Sequence, residues 1–355
     1  RPALPSLFPA LLVAFLSLVI FSAARAYAAP AFFDDRPWLE NGSSFAQEID
    51  LSDGNPPLHS LGGFGVGGGY VFAVQGMGIP QNTLTNLVGP NYEKPESVSF
   101  TPVSFNLSKT GDNLTTLNFS SSMLYRIRNS SILVSVESVP GATLTTVTFA
   151  PFGARTIYRI VTVENTSAVQ LDDLSIISSA LSKDFSAKPD GASLLQSPGG
   201  RKMVFGLLPA IENEVLDIYS PEPGRLAFNL GPIPPGGRRT LVYHVTFARV
   251  GQPAEPAAST LDETLDLLDG NYARWIEWRA GAIDAGSDQQ RLADIFDTTL
   301  ALLKVQTPAD TGGIAVMARY SGMWCRDTFG PVRFFLPAGK YPEVRAIARF
   351  YGLAT

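Results

Sequence analysis

One short segment of the sequence concentrates the side-chain types that bind sugars. Residues 319–328 read RYSGMWCRDT and include Tyr320, Trp324, Arg326 and Asp327. Aromatic rings cover the apolar C–H face of a pyranose, while arginine and aspartate form charge-assisted hydrogen bonds with its hydroxyls. The alternative is structural: Trp324 would lie in a core, and Arg326 and Asp327 would form an ion pair that caps the next helix. The residue types alone leave both interpretations open.

The spacing Tyr320-x-x-x-Trp324-x-Arg326-Asp327 resembles the Y-x-x-x-W-x-R-D motif of glucoamylase-type glycoside hydrolases, which belong to the six-hairpin glycosidase superfamily. A second resemblance, to the amylo-α-1,6-glucosidase region of glycogen-debranching enzymes, is carried by Trp324-x-Arg326-Asp327-Thr328 followed by Leu336, Gly339-Lys340 and Arg345-Ala346-Ile347. Cys325 stands where these families carry a small residue or proline. The resemblance implies that the four motif residues form the subsite that grips the non-reducing terminal sugar.

The resemblance also implies an architecture. Bacterial glucoamylases place a large β-sandwich and a linker helix before a toroid of six helical hairpins. We therefore expect a multidomain β + α chain. It would comprise an N-terminal antiparallel β-sandwich (supersandwich-like), a linker helix and the start of an (α/α)6 toroid, truncated.

The mechanism implied by the resemblance needs two carboxylates. One protonates the leaving oxygen and the other activates water, and inverting enzymes hold them roughly 6.5–9.5 Å apart. In the resembled families both come from later hairpins, so the catalytic residues are expected beyond Thr355. Glu343 is expected on an outer helix. The chain should therefore be inactive alone.

The expected function is that of an exported glycoside hydrolase fragment that releases terminal glucose from α-linked glucans. Three alternatives stay open. One is debranching by an amylo-α-1,6-glucosidase activity, and another is a non-catalytic carbohydrate-binding or surface protein. The third is a phosphorylase of the same helical superfamily. It is the less favoured alternative, because an exported protein has no access to cytoplasmic phosphate. The expected partner is an oligo- or polysaccharide.

Composition excludes several other classes. The 355 residues are 45% hydrophobic and 17% charged, enough for a core of at least one domain. The net charge of −5 argues against nucleic acid as a partner. One cysteine and two histidines exclude a disulfide framework and a Cys/His zinc site. We expect neither a metal nor a cofactor.

The N-terminus predicts export. The apolar run from Leu7 to Phe21 leads to Ala26-Tyr27-Ala28, a small-x-small cleavage signature. This pattern is typical of a secretory signal peptide, here residues 1–28, and predicts a secreted or periplasmic protein with no membrane association after cleavage. A retained membrane anchor is the alternative, because the run approaches the length of a span. The chain begins with Arg1, so it is expected to lack its true start.

Residues 29–252 predict the β-sandwich, because apolar residues alternate along short runs separated by turn residues. Leu241, Tyr243, Val245 and Phe247 show the pattern after a Gly- and Pro-rich turn. Residues 62–69 formally match G-x-G-x-x-G, but no clear strand precedes them and a strand-like run follows. We therefore interpret them as a flexible loop that enters a strand, and not as a nucleotide site.

Residues 253–285 predict a linker with a helix, which opens at a capping box at Thr260. Residues 286–355 predict the first hairpins of the toroid, an incomplete catalytic domain. Helices are expected from about Asp288 to Lys304, from Val332 to Pro337 before Gly339, and from Pro342 to Tyr351.

Overall fold

The fold is known from a computed structural model. It describes residues 30–42, 47–50, 64–76, 83–89, 98–100, 103–109, 115–117, 119–172, 174–180, 186–187, 193–196, 201–208, 218–219, 225–249, 253, 255–282, 290–307, 312–314 and 325–353. The chain divides into two compact units, Arg1–Pro37 and Trp38–Thr355. Within the first, α1 (Ala31–Asp34) buries Phe33. The predicted signal peptide lies outside the described residues.

The second unit contains two antiparallel sheets, each of nine strands among the described residues. Sheet I runs in spatial order through β1 (Gln47–Asp50), β8 (Ser121–Arg126), β9 (Leu133–Val139), β10 (Ala142–Phe149), β11 (Thr156–Asn165), β18 (Arg238–Arg249), β15 (Arg201–Leu207), β14 (Ser193–Gln196) and β13 (Ser186–Ala187). Sheet II runs through β16 (Ile218–Tyr219), β17 (Arg225–Asn229), β12 (Leu174–Ala180), β6 (Val103–Lys109), β4 (Leu84–Gly89), β3 (Phe72–Gln75) and β2 (Phe64–Gly67), with β5 (Val98–Phe100) beside β4 and β7 (Thr115–Thr116) beside β6.

The two sheets share one apolar core, which makes the arrangement a β-sandwich. Leu144 and Tyr243 of sheet I and Phe228 of sheet II belong to the same cluster of buried side chains. The rings of Phe228 and Tyr243 meet edge to face, with centroids 5.8 Å apart. Apolar residues at every second position of a strand form this core, because successive side chains point to opposite faces of a sheet.

The centre of sheet I is buried on both faces, which the period-two pattern did not indicate. All eight residues of β10 are buried, including Val147 and Phe149 on the face opposite Leu144. On this outer face the ring of Phe149 stacks on Tyr158, and the Tyr158 hydroxyl accepts hydrogen bonds from the backbone N–H groups of Ala257 and Ala258. The segment that enters the first long helix therefore lies against the outer face of the sheet.

The helices follow the sandwich as α2 (Leu261–Ala280), α3 (Gln290–Val305), α4 (Cys325–Phe335) and α5 (Tyr341–Leu353). The predicted cap of α2 is present, because Thr260 Oγ1 accepts from the N–H of Glu263 at 3.1 Å. The Glu263 carboxylate accepts from the N–H and the hydroxyl of Ser259. Within the described ranges, no helix combines the length and the apolar character needed to cross a bilayer.

One helix boundary differs from the prediction. The third predicted helix was expected to begin at Val332, after Gly330-Pro331, but α4 begins at Cys325 and contains Pro331. The motif residues Arg326 and Asp327 therefore lie in its first turn. Gly339 has φ +75°, a backbone conformation that glycine accepts without strain, and it precedes α5 as expected.

Candidate functional site

The predicted sugar-binding residues lie at the start of α4. Tyr320 and Trp324 are outside the described residues. Arg326 and Asp327 are the second and third residues of α4, and the structure describes their backbone but not their side chains. The four-residue subsite therefore stays a prediction. The structure shows how the helix that carries two of its residues, α4, packs against neighbouring helices.

Helix α4 is held at both of its ends. Near its start, Thr328 is 3% exposed and its hydroxyl shares a hydrogen bond of 2.6 Å with the phenol of Tyr351 in α5. At its end, Phe335 is fully buried, and the ring of Phe334 stacks on Phe296 of α3 with centroids 5.2 Å apart. Helices α3 and α5 therefore set the position of the helix that carries the motif.

The Glu343 carboxylate anchors α5 to two other helices. Its Oε1 accepts from Trp278 Nε1 of α2 at 2.7 Å and forms an ion pair with Lys304 Nζ of α3 at 2.8 Å. Glu343 is 7% exposed, so its side chain is buried between these helices. Burial alone would raise its pKa, but the charge of Lys304 and the two hydrogen bonds outweigh burial and lower it. A carboxylate held as the anion in this way joins helices and is poorly suited to act as a general acid.

Lys340 adds a second cation to the same place. Its ammonium donates to the backbone carbonyl of Trp278 and lies 4.3 Å from the centroid of the Trp278 ring. The pKa of Lys340 is lowered to about 8, chiefly by burial; Glu343 opposes the shift, and the charges of Arg279 and Lys304 add to it. Two lysines, one glutamate and one tryptophan thus form a buried polar cluster at the junction of α2, α3 and α5.

A line of charged residues joins the sandwich to α3. Arg126 at the end of β8 is 2% exposed and donates from Nη2 to Thr298 Oγ1 at 2.5 Å. Nearby, Arg128 pairs with Asp294 of α3 at 3.4 Å. Burial lowers the pKa of Arg126 to about 10, although Asp297 and Asp294 favour its charged form.

The line continues from α3 to α2, where Asp297 Oδ1 lies 2.7 Å from Arg279 Nε. These contacts were not predicted from the sequence. Asp294 and Asp297, three residues apart on one side of a helix, were the available signal. These polar contacts together determine how α2 and α3 are placed against the sandwich.

The glycine-rich stretch is a strand against which a helix packs. Its residues 64–67 form β2, which pairs with β3 in a hairpin, so the expected flexible loop is instead a strand here. A Cβ on Gly65 would lie 2.6 Å from a methyl carbon of Leu302, and one on Gly67 would lie 3.2 Å from Cβ of Val305. The absence of side chains at Gly65 and Gly67 lets α3 approach the strand, and this gives these two glycines a structural role that needs no nucleotide.

Two further kinds of site can be compared with the described residues: metal sites and Asn-x-Ser/Thr positions. Over the described ranges, no group of three or more His, Cys, Asp or Glu residues is placed to hold a metal ion. Asn165, one of several Asn-x-Ser/Thr positions in the sequence, is fully buried, and its amide donates to the carbonyls of Val169 and Ile233. This asparagine therefore organises a turn, as such residues commonly do.

No protein-family model matches the sequence, and no curated protein is similar to it in sequence. Among solved structures, a bacterial glucoamylase complexed with acarbose is similar over 86% of this chain and 52% of its own, at 10% identity and a TM-score of 0.53. A human-microbiome protein assigned as a kojibiose phosphorylase is similar over 80% and 46%, at 12% identity and a TM-score of 0.48. The chain spans about half the length of the glucoamylase. The resemblance of the sequence to glucoamylase-type glycoside hydrolases is thus confirmed at the level of the fold.

Proposed function

We propose that this chain is part of an exported glycoside hydrolase that releases terminal glucose from α-linked glucans with inversion. The observation that carries the proposal is the shared fold: a sandwich followed by helices, similar to a bacterial glucoamylase over 86% of the chain. The sequence motif indicates which residues would bind the sugar. Arg326 and Asp327 lie in the first turn of α4, where the resemblance assigns the grip on the terminal sugar.

In this proposal, α3, α4 and α5 begin the helical toroid. Apolar side chains on their surfaces support the idea, because further hairpins would cover them. Leu292 and Ile295 of α3 are 50% and 45% exposed, and Phe329 of α4 is 64% exposed. Large exposed apolar groups at such spacing indicate a face that packs against other elements.

The general acid and base are proposed to lie outside these 355 residues. Three carboxylates pack between elements in the described part of the helical region, and each has a cationic partner: Glu343 with Lys304, Asp297 with Arg279, and Asp294 with Arg128. A general acid needs a raised pKa and access to the substrate. These three groups are used instead to join helices and sandwich.

The test is the reaction of the longer protein that contains this chain. We expect hydrolysis of maltotriose, with glucose appearing first as the β-anomer in a time-resolved NMR spectrum, because inversion of an α-linkage gives that anomer. Comparison with isomaltose separates α-1,4 from α-1,6 hydrolysis and so tests debranching. Glucose 1-phosphate formed only in the presence of phosphate would indicate a phosphorylase. Binding without any turnover would favour a carbohydrate-binding protein, and either result would contradict the proposal.

Export is a separate part of the proposal and rests on residues 1–28. N-terminal sequencing of material secreted by its natural host should begin near Ala29. A mature protein that retains Leu7 to Phe21 would support an anchor and contradict cleavage.

A further inference from the structure

Helix α4 has low intrinsic helix stability in the turn that follows the motif residues Arg326 and Asp327. Pro331 has no N–H, so the helical hydrogen bond that residue 331 would donate to the carbonyl of Asp327 is not made. Gly330 precedes the proline, and glycine is the poorest helix former after proline. The turn that contains Arg326 and Asp327 therefore needs support from outside the helix.

Such support comes from α5. The hydrogen bond between the hydroxyls of Thr328 and Tyr351 measures 2.6 Å, and Thr328, the residue after Asp327, is almost completely buried. Helix α5 is itself anchored, because Ile347 lies in a buried cluster with Phe335 and Glu343 pairs with Lys304. The bond thus connects the weak turn to a helix that is fixed at other points.

We propose that Tyr351 is a positioning residue for sugar binding: it holds the first turn of α4, and with it Arg326 and Asp327, through the hydroxyl of Thr328. The proposal rests on the proposed function of those two residues. It assigns Tyr351 no contact with the sugar. It explains how a helix interrupted by Gly330-Pro331 can still present two residues in a defined place, as a binding site requires.

The first experiment measures amide hydrogen exchange in this chain and needs no activity. In Tyr351→Phe, the amides of residues 328–330 should exchange about two- to twelvefold faster, the change expected from loss of one net hydrogen bond. These are the amides before Pro331 that can donate within the helix, because the first three N–H groups of α4 have no intrahelical partner. Thr328→Val should act alike and Thr328→Ser should not, because serine keeps the hydroxyl. Tyr125→Phe is the matched control, since its hydroxyl donates to the Leu39 carbonyl at 3.1 Å within the sandwich.

A rescue variant separates tethering from general damage. A Cβ on Gly330 would meet no atom within 4 Å, so Gly330→Ala should strengthen α4 without a clash. Adding Gly330→Ala to Tyr351→Phe should return the exchange of residues 328–330 towards the wild-type rate. Unchanged exchange in Tyr351→Phe would overturn the proposal. Rescue by Gly330→Ala would not be expected if the damage lay in α5.

The second experiment measures sugar recognition in the longer protein. Tyr351→Phe should raise KM for maltotriose about two- to twelvefold with a smaller change in kcat, and Gly330→Ala should reverse the effect. If Asp327→Asn impairs the reaction but Tyr351→Phe leaves KM unchanged, the positioning role is wrong and the proposed function stands. If Asp327→Asn changes nothing, the proposed role of Asp327 in sugar binding fails and the positioning role fails with it, even where exchange shows the tether. Absence of any hydrolysis by the longer protein is the separate result that contradicts the proposed function.

Discussion

The sandwich and the helical region are each stabilised by a different kind of interaction. The sandwich contains one large apolar core shared by both sheets, in which Leu144, Phe228 and Tyr243 are almost completely buried. The helical region has smaller apolar clusters, and its helices also meet through ion pairs and ring contacts such as Glu343–Lys304 and Phe296–Phe334. Burial of apolar area is insensitive to direction, whereas ion pairs and hydrogen bonds depend on geometry. The sandwich is thus expected to supply stability, and the helices a defined arrangement of residues.

The largest effect on activity, as distinct from stability, is expected at the motif in the helical region. Asp327→Asn in the longer protein should lower kcat/KM about 10- to 200-fold, if loss of a charge-assisted bond to the sugar costs roughly 1.5–3 kcal/mol. The melting temperature should change little, and Trp324→Ala should likewise weaken sugar binding more than stability. Both quantities are measured for each variant. A lowered melting temperature with unchanged kinetics would show that Asp327 only supports the helix.

The next effect concerns the sandwich core. Leu144→Ala should destabilise the chain by about 2–5 kcal/mol, because it removes a buried side chain from the middle of β10 and leaves a cavity. Denaturant unfolding followed by circular dichroism measures the loss. Val169→Ala is a suitable control, since Val169 is 66% exposed and should change stability by less than about 0.5 kcal/mol. A small loss for Leu144→Ala would contradict the idea that the sandwich supplies most of the stability.

A smaller effect is expected at the helical junction. Glu343→Gln keeps the shape of the side chain but removes the ion pair with Lys304, so we expect a loss of about 1–3 kcal/mol. Lys304→Met with Glu343→Gln should be less harmful than the sum of the two single changes, because no charge is left without its partner. Additive losses in this double-mutant cycle would mean that the pair does not couple α3 to α5.

The smallest expected effect is a pH dependence from Lys340. Its pKa falls from 10.5 to about 8 in the folded chain, so between these values the unfolded chain binds more protons. Stability from this group should therefore rise as the pH increases from about 8 towards 10.5. The melting temperature of the wild type, measured across this range, should rise relative to that of Lys340→Met. A constant difference between the two would contradict the lowered pKa.

Local patterns in the sequence were enough to predict many elements. Alternation at Leu241 to Phe247 predicted β18, and the capping pattern at Thr260 predicted the start of α2. Both depend on residues close in the chain, so their physics is local. The motif from Tyr320 to Asp327 pointed to a sugar site through residue types and spacing, and the fold supports the family to which that spacing belongs.

Other features were decided by residues far apart in the chain. Gly65 looked like part of a loop, but its lack of a side chain makes room for Leu302 of α3. A helix was expected to begin at Val332, but α4 begins at Cys325, and Tyr351 contacts Thr328 in the part before Pro331. Glu343 was expected on an outer helix, and its contacts with Trp278 and Lys304 were not predicted. Local periodicity and capping therefore indicated many of the strands and helices, because these patterns act within a few residues. The places where glycines, a proline and buried charges are tolerated depend on the folded chain, because their partners lie tens to hundreds of residues away.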